Sequence, residues 1–198
     1  MENFWDERYA STDEYVYGTA PNEYFRKNLS ELVPGKILMP GEGEGRNAVF
    51  AAGMGWKVVA FDSSPEARKK AEKLARDKQT DIDYRICSYE NILFSNEEFD
   101  CLALIFTHMP GERRTEYHKK LISFLKPGGV LILEYFSKKQ IGNNTGGPKD
   151  IGMLLSREEL LNDFSGFSIL ETEEKDLLLD EGKFHSGRAS VIRARGIK

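Results

Sequence analysis

The run Gly41-Glu42-Gly43-Glu44-Gly45 alternates glycine with glutamate and follows a short apolar stretch, Lys36-Ile37-Leu38-Met39. Backbone without side chains at the end of a strand lets a ligand approach the main chain, while a helix starting behind it offers free amides to an anion. Asp62 closes the next apolar stretch, Lys57 to Phe61. A carboxylate there can accept both hydroxyls of a ribose. The two features together imply a nucleoside-containing ligand; taken alone, the glycine run is a tight strand-to-helix turn. Arg46 stands where a dinucleotide fingerprint has its third glycine, so NAD is disfavoured, and no G-K-[ST] follows to make a phosphate-cradling P-loop.

His108 directly follows the fourth apolar stretch in Phe106-Thr107-His108-Met109-Pro110, which puts it at the ligand-bearing edge of a parallel sheet or at the cap of the next helix. His185 and Arg188 lie at the start of the last strand. If that strand runs against its neighbours, its beginning shares an edge with the ends of the parallel strands. A histidine there can act as a base near neutral pH and an arginine can grip an oxyanion in bidentate fashion; the alternative is a solvated hairpin histidine. His118 is expected on the exposed part of its helix. The three histidines show no H-E-x-x-H or comparable spacing, so no metal site is expected. Cys87 and Cys101 lack C-x-x-C spacing and read as reduced core residues.

These residues need a scaffold, and the order of elements supplies one. Strand, glycine turn and helix (Asn47 to Met54) are followed by a strand over Lys57 to Phe61 and a helix ending near Asp77. That helix starts either from a Ser63-to-Glu66 capping box or from Ser64 with Pro65 at the first helical position. Further strands fit Ile82 to Cys87, Phe99 to Phe106 and Val130 to Tyr135, with a helix from Gly111 to Leu125 and the turn Leu125-Lys126-Pro127-Gly128-Gly129. Residues 137–155 read as a long excursion, Ser156 to Glu159 as a capping box, and Phe167 to Leu179 with Ala189 to Arg195 as an antiparallel hairpin. Such a series predicts an α/β, Rossmann-like, doubly wound and mostly parallel sheet with one reversed strand near an edge.

The chain has 198 residues, 40% hydrophobic and 30% charged, which suits one globular domain rather than disorder. A net charge of −4 offers no basic field for a polyanion, so nucleic acid is not an expected partner. The longest apolar run, Cys101 to Phe106, is far short of the roughly 20 residues that span a bilayer, so no membrane partner is expected. The acidic start, MENFWDERYA, lacks a secretory leader's pattern, and a cytoplasmic location is expected.

G-x-G-x-G-R-N, Asp62, L-K-P-G-G and the terminal hairpin together resemble class I S-adenosylmethionine-dependent methyltransferases. W-D-E-R-Y at Trp5 to Tyr9, Y-G-T-A-P-N at Tyr17 to Asn22 and G-E-G-R-N at Gly43 to Asn47 resemble the small-molecule branch that includes the tellurite-resistance and thiopurine methyltransferases. The resemblance implies a seven-stranded sheet of order 3-2-1-4-5-7-6, S-adenosylmethionine as cofactor, S-adenosylhomocysteine as product, and a small-molecule methyl acceptor, a thiol or a chalcogen oxyanion. It implies that Gly41 and Gly43 pass under the cofactor's amino-acid portion, that Asp62 with Ser63 meets the ribose, and that Ser88 and Tyr89 meet adenine. Gly45, Asn47 and Phe106 extend this cofactor-binding set. Arg46 either pairs the cofactor carboxylate or lies exposed on its helix. Met39 replaces the acid that commonly precedes the first glycine, and Glu42 is the residue able to supply that charge; Ser88 likewise stands where an acid is common. His185, Arg188 and His108 are the implied catalytic candidates. Residues 1–30 form either a lid, with Tyr15, Tyr17, Tyr24 and Phe25, or an ordinary packed segment on the core at residues 31–198. Thr145-Gly146-Gly147-Pro148 either floors the acceptor pocket or makes a turn. A monomer or weak homodimer is expected. The competing functions are a cofactor-binding protein without turnover and an NAD-linked oxidoreductase.

Overall fold

The computed structural model describes residues 2–198, with side chains described for residues 4–198. Seven strands make one sheet in the order β3-β2-β1-β4-β5-β7-β6. The strands are β1 (Lys36–Pro40), β2 (Lys57–Asp62), β3 (Asp83–Ile86), β4 (Phe99–Ile105), β5 (Leu125–Phe136), β6 (Ile169–Asp180) and β7 (Ser186–Ile197). β1 to β5 pair in parallel, while β7 runs antiparallel to both β5 and β6. This is the predicted order and the predicted reversal. The chain winds one way from β1 to β3 and the other way from β4, so connections diverge between β1 and β4, where a crevice opens beyond the strand ends.

Alternation along the strands explains the layers. On one face, Leu38, Phe61, Leu102 and Leu131 meet α5 (Gly111–Phe124) through Tyr117 and Leu121, and α6 (Arg157–Asp163) through Leu160. On the other, Ile37, Met39, Ala60 and Cys101 meet Phe25 and Leu29 of α2 (Glu23–Leu29), Ala48 and Ala51 of α3 (Arg46–Gly53), and Ala71 of α4 (Pro65–Asp77). Such two-sided burial is what an almost wholly apolar β4 requires. A further helix, α1 (Glu2–Ala10), lies against α4.

Of the two helix starts open in the sequence, the structure takes the Ser64 cap: its hydroxyl accepts the Ala67 N–H at 3.0 Å, with Pro65 opening α4. Other boundaries differ from the sequence expectation. β5 already pairs at Leu125, and Lys126 to Gly129 form an interruption within it, since Phe99 faces Leu125 but Cys101 faces Val130. Gly128 sits there at φ +76°. The excursion over 137–155 holds two short 3-10 turns, Lys138–Gln140 and Ile151–Met153, and is pinned by a bridge between Ser137 and Leu155. The Ser156–Glu159 capping box is present as predicted.

His118 corrects an expectation, because it is fully buried. α6 covers that side of α5, and Asp163 Oδ2 lies 2.9 Å from both His118 Nδ1 and Arg114 Nε, with the Thr115 hydroxyl donating to Oδ1 at 2.7 Å. Burial alone would raise the Asp163 carboxyl; these three partners outweigh it and hold it at about 2. A helical wheel counts His118 as polar and therefore outward, and it misses a carboxylate arriving from another helix.

Candidate active site

A cavity of about 280 Å³ opens at the β1/β4 divergence. Its floor begins with the glycine turn, where Gly41, Gly43 and Gly45 adopt φ of +59°, +62° and +86°. A side chain would be strained at each. Space forbids one as well: a Cβ on Gly41 would come within 2.6 Å of the Tyr89 hydroxyl, and one on Gly43 within 2.6 Å of the Tyr9 hydroxyl. The turn is fixed from below by Tyr84, whose hydroxyl donates to the Gly43 carbonyl at 2.6 Å. From the side, Asp62 Oδ2 accepts the Gly43 N–H at 3.1 Å, while Oδ1 accepts the Ser64 N–H at 3.0 Å. Burial raises the Asp62 carboxyl, and these backbone donors oppose the rise.

Glu42 turns back onto the following helix. Its Oε1 accepts the Asn47 and Ala48 N–H groups at 3.0 and 2.7 Å, serving two of the amides that a helix start leaves without partners. Burial nevertheless pushes its carboxyl up to about 7, against the pull of Ala48, Arg46 and Asn47. A carboxyl raised in the folded state favours its neutral form, so its contribution to stability is fully present below pH 4.5. That contribution is lost as the pH climbs through about 7. Unfolding free energy without cofactor should therefore fall by about 3 kcal/mol over that window. Glu42→Gln should flatten the slope in denaturant titrations run at a series of pH values.

At the far end the cavity reaches two histidines. Phe106 leads into this region with φ +51°, a conformation that bulky residues avoid, and its N–H extends the sheet by donating to the Glu134 carbonyl at 2.7 Å. Its ring lies 4.6 Å from that of Phe136 and 4.8 Å from that of His185. His108 is stacked between Trp5 and Phe136, with centroids at 6.2 and 5.9 Å. Its Nδ1 is shielded and has no hydrogen-bond partner among the described residues. Desolvation first, and His185 second, push its pKa down to about 3, so the ring is neutral. His185, also buried, lies 4.5 Å from the Tyr17 ring, and desolvation lowers it too.

The N-terminal segment roofs the site. Trp5, Tyr9 and Tyr17 line the cavity. Asp6 ties α1 down, because its Oδ1 accepts the Ser64 hydroxyl at 2.6 Å and the Glu66 N–H at 3.1 Å. The helix start next to Asp62 is thus shared between the cavity floor and the roof.

Among the residues selected from sequence, Gly41, Glu42, Gly43, Arg46, Asn47, Asp62, Ser63, Ser88, Tyr89, Phe106, His108 and His185 come together around this cavity. Gly45 lies just behind, at the start of α3, where its bare Cα lets the turn approach Ala71. Arg46 lines the cavity and is buried rather than on the exposed face of its helix, with its Nη2 paired with Glu181 at 2.8 Å. Arg188 does not line the cavity; it is 74% exposed and paired with Asp176 at 2.7 Å, on the outward face of the hairpin. The Thr145–Pro148 turn lies behind the site, where Gly146 abuts Phe184 and His185. Of the aromatic lid set, Tyr17 reaches the cavity, whereas Phe25 is core, Tyr24 lies against the Arg193 guanidinium and Tyr15 bonds the Lys70 carbonyl. Sequence reasoning missed Glu181, hidden in the hairpin turn Asp180-Glu181-Gly182-Lys183, and Asn22, which donates to both Glu181 and Glu134. The spacing of four between Glu181 and His185 was the one available signal.

Residues 37–129 match the family model described as a methyltransferase domain. Solved structures of the same fold include a SAM-dependent methyltransferase from Methanosarcina mazei, whose cofactor is S-adenosylmethionine, with TM-score 0.69, 20% identity and coverage of 85% and 95%. The residues present fit this cofactor: a cradle that any Cβ would fill, a carboxylate at the end of β2 for ribose hydroxyls, and Glu42 for an ammonium group. The chain is 31% identical over 120 residues to a ubiquinone biosynthesis O-methyltransferase of Xanthomonas euvesicatoria, covering 59% of this chain and 48% of that protein. It spans less than half the length of the curated relatives it matches. Among solved structures, a protein described under the conversion of a disulfide bond into a thioacetal group in echinomycin biosynthesis matches with TM-score 0.79, 17% identity and coverage of 100% and 91%. TehB from Haemophilus influenzae matches with TM-score 0.72, 16% identity and coverage of 98% and 67%. At these identities the two structures share the fold.

Proposed function

We propose that this protein is an S-adenosylmethionine-dependent methyltransferase whose acceptor is a small molecule carrying a soft nucleophile, a thiol or a related chalcogen. One observation carries the reading: a single cavity runs from the glycine cradle and Asp62 to two neutral histidines among aromatic rings, under a roof made by α1. When bound, the cofactor supplies an electrophilic methyl group on a sulfonium centre. Catalysis then asks the protein for alignment, exclusion of water and removal of one proton. Gly41 and Gly43 admit the amino-acid portion, Glu42 faces its ammonium, and Asp62 with Ser63 receives the ribose. Ser88 and Tyr89 flank adenine. Trp5, Tyr9 and Tyr17 close the site to water. The His108 ring, between Trp5 and Phe136, lines the acceptor end of the cavity, and His185 takes the acceptor's proton.

A thiol suits the geometry better than an oxyanion. Arg46 is committed to Glu181 and Arg188 points away, so no unpaired guanidinium among the lining residues awaits a polyanion. A net charge of −4 gives no overall basic field for a nucleic acid strand. Methyl transfer from labelled S-adenosylmethionine to a panel of small thiols, selenite, tellurite and a bulk tRNA fraction tests the proposal. Turnover with thiols is expected; labelling of tRNA alone, or no transfer to any acceptor, would overturn it.

A further inference from the structure

Glu181 was selected neither by the sequence motifs nor by its position on the cavity wall, yet it joins three parts of the site. It lies in the turn between β6 and β7, and both of its oxygens are engaged. Oε1 accepts the Asn22 side-chain amide at 2.9 Å; Oε2 accepts Arg46 Nη2 at 2.8 Å and lies 3.5 Å from His185 Nδ1. The His185 ring is held by Tyr17, Phe106 and Phe136 at 4.5, 4.8 and 5.2 Å, so it has little freedom to flip. Nδ1 faces the carboxylate, and Nε2 has no hydrogen-bond partner among the described residues. Resting on the methyltransferase reading above, we propose that Glu181 is a positioning residue that holds His185 with its proton on Nδ1, leaving the Nε2 lone pair to take the acceptor's proton.

The balance is simple: the acceptor X–H bond breaks, its proton goes to Nε2, and the electron pair left on X forms the new bond to the methyl carbon. The pair in the carbon–sulfur bond stays with the cofactor sulfur. Glu181 remains ionised throughout. Burial opposes its charge, but His185 and Arg46 outweigh that and hold its carboxyl at about 2. The charged or titratable groups facing His185 are Glu181 from the hairpin, Arg46 from α3, Arg8 from α1, Tyr17 from the loop after α1 and His108 from the loop after β4. Of these, only Glu181 supplies a negative charge near neutral pH.

The first readout needs neither turnover nor a variant. Nitrogen-15 NMR of the protein without ligand should show His185 as the Nδ1–H tautomer at pH 8; the Nε2–H tautomer would overturn the proposal. In Glu181→Gln, the His185 titration, and the acidic limb of the kcat/KM profile with it, should move down by about one pH unit. The limiting kcat should fall about tenfold or more with S-adenosylhomocysteine affinity retained. Glu181→Asp, which keeps the charge, should recover most of the pH profile. A His185 titration unmoved in Glu181→Gln would contradict the assignment. Absence of methyl transfer in the unaltered protein would instead sink the proposed function and leave the tautomer result standing.

Discussion

Replacing His185 with alanine should lower kcat by about 100- to 10,000-fold, the span by which a positioned general base accelerates proton transfer. Affinity for S-adenosylmethionine should stay unchanged. The split follows from placement. His185 enters the cavity from the start of β7, among Tyr17, Phe106 and Phe136, while the glycine turn and Asp62 belong to β1 and β2 on the other side of the divergence. Glu181 keeps Arg46 and Asn22 when the imidazole is gone, so the hairpin turn should survive. Steady-state kinetics on the best thiol of the panel, paired with a binding titration, check this. Full turnover in His185→Ala would remove the residue from the chemistry.

The second large effect belongs to Asp62. Asp62→Ala should weaken S-adenosylhomocysteine binding about 30- to 100-fold, roughly 2–3 kcal/mol for losing a charged acceptor to the ligand. Part of that loss comes through the protein, because Asp62 also holds the Gly43 and Ser64 N–H groups and so shapes the turn. Asp62→Asn keeps one acceptor without the charge and should fall between the two. Calorimetric titration of the three proteins ranks them; equal affinities would displace the ribose from this corner of the cavity.

How much of this was legible in the sequence follows from which interactions are local. The glycine run, the Ser64 and Ser156 caps and the apolar period of β4 are written within a few residues, and the structure follows them closely. The sheet order came from the family resemblance, and it holds. The failures involve partners distant in sequence. Arg46 could be read as a surface residue because its partner, Glu181, lies 135 residues away. His118 looked solvated because Asp163 arrives from another helix. Arg188 was placed by its distance from the strand start. Yet side chains alternate along a strand, so a position near the site's edge does not decide the face. The partner Asp176 across the hairpin draws Arg188 outward. Met39, where the resemblance leads one to look for an acid, is fully buried in the apolar core, and Glu42, three residues along, is a carboxylate within the cradle itself.

What the crevice between β1 and β4 holds decides the function of the protein. Isothermal titration of the unaltered protein with S-adenosylhomocysteine, repeated in the presence of excess NAD, decides it: saturable one-to-one heat that NAD leaves untouched is the predicted result. Heat with NAD that displaces the thioether nucleoside, or no heat with S-adenosylhomocysteine at all, would contradict it.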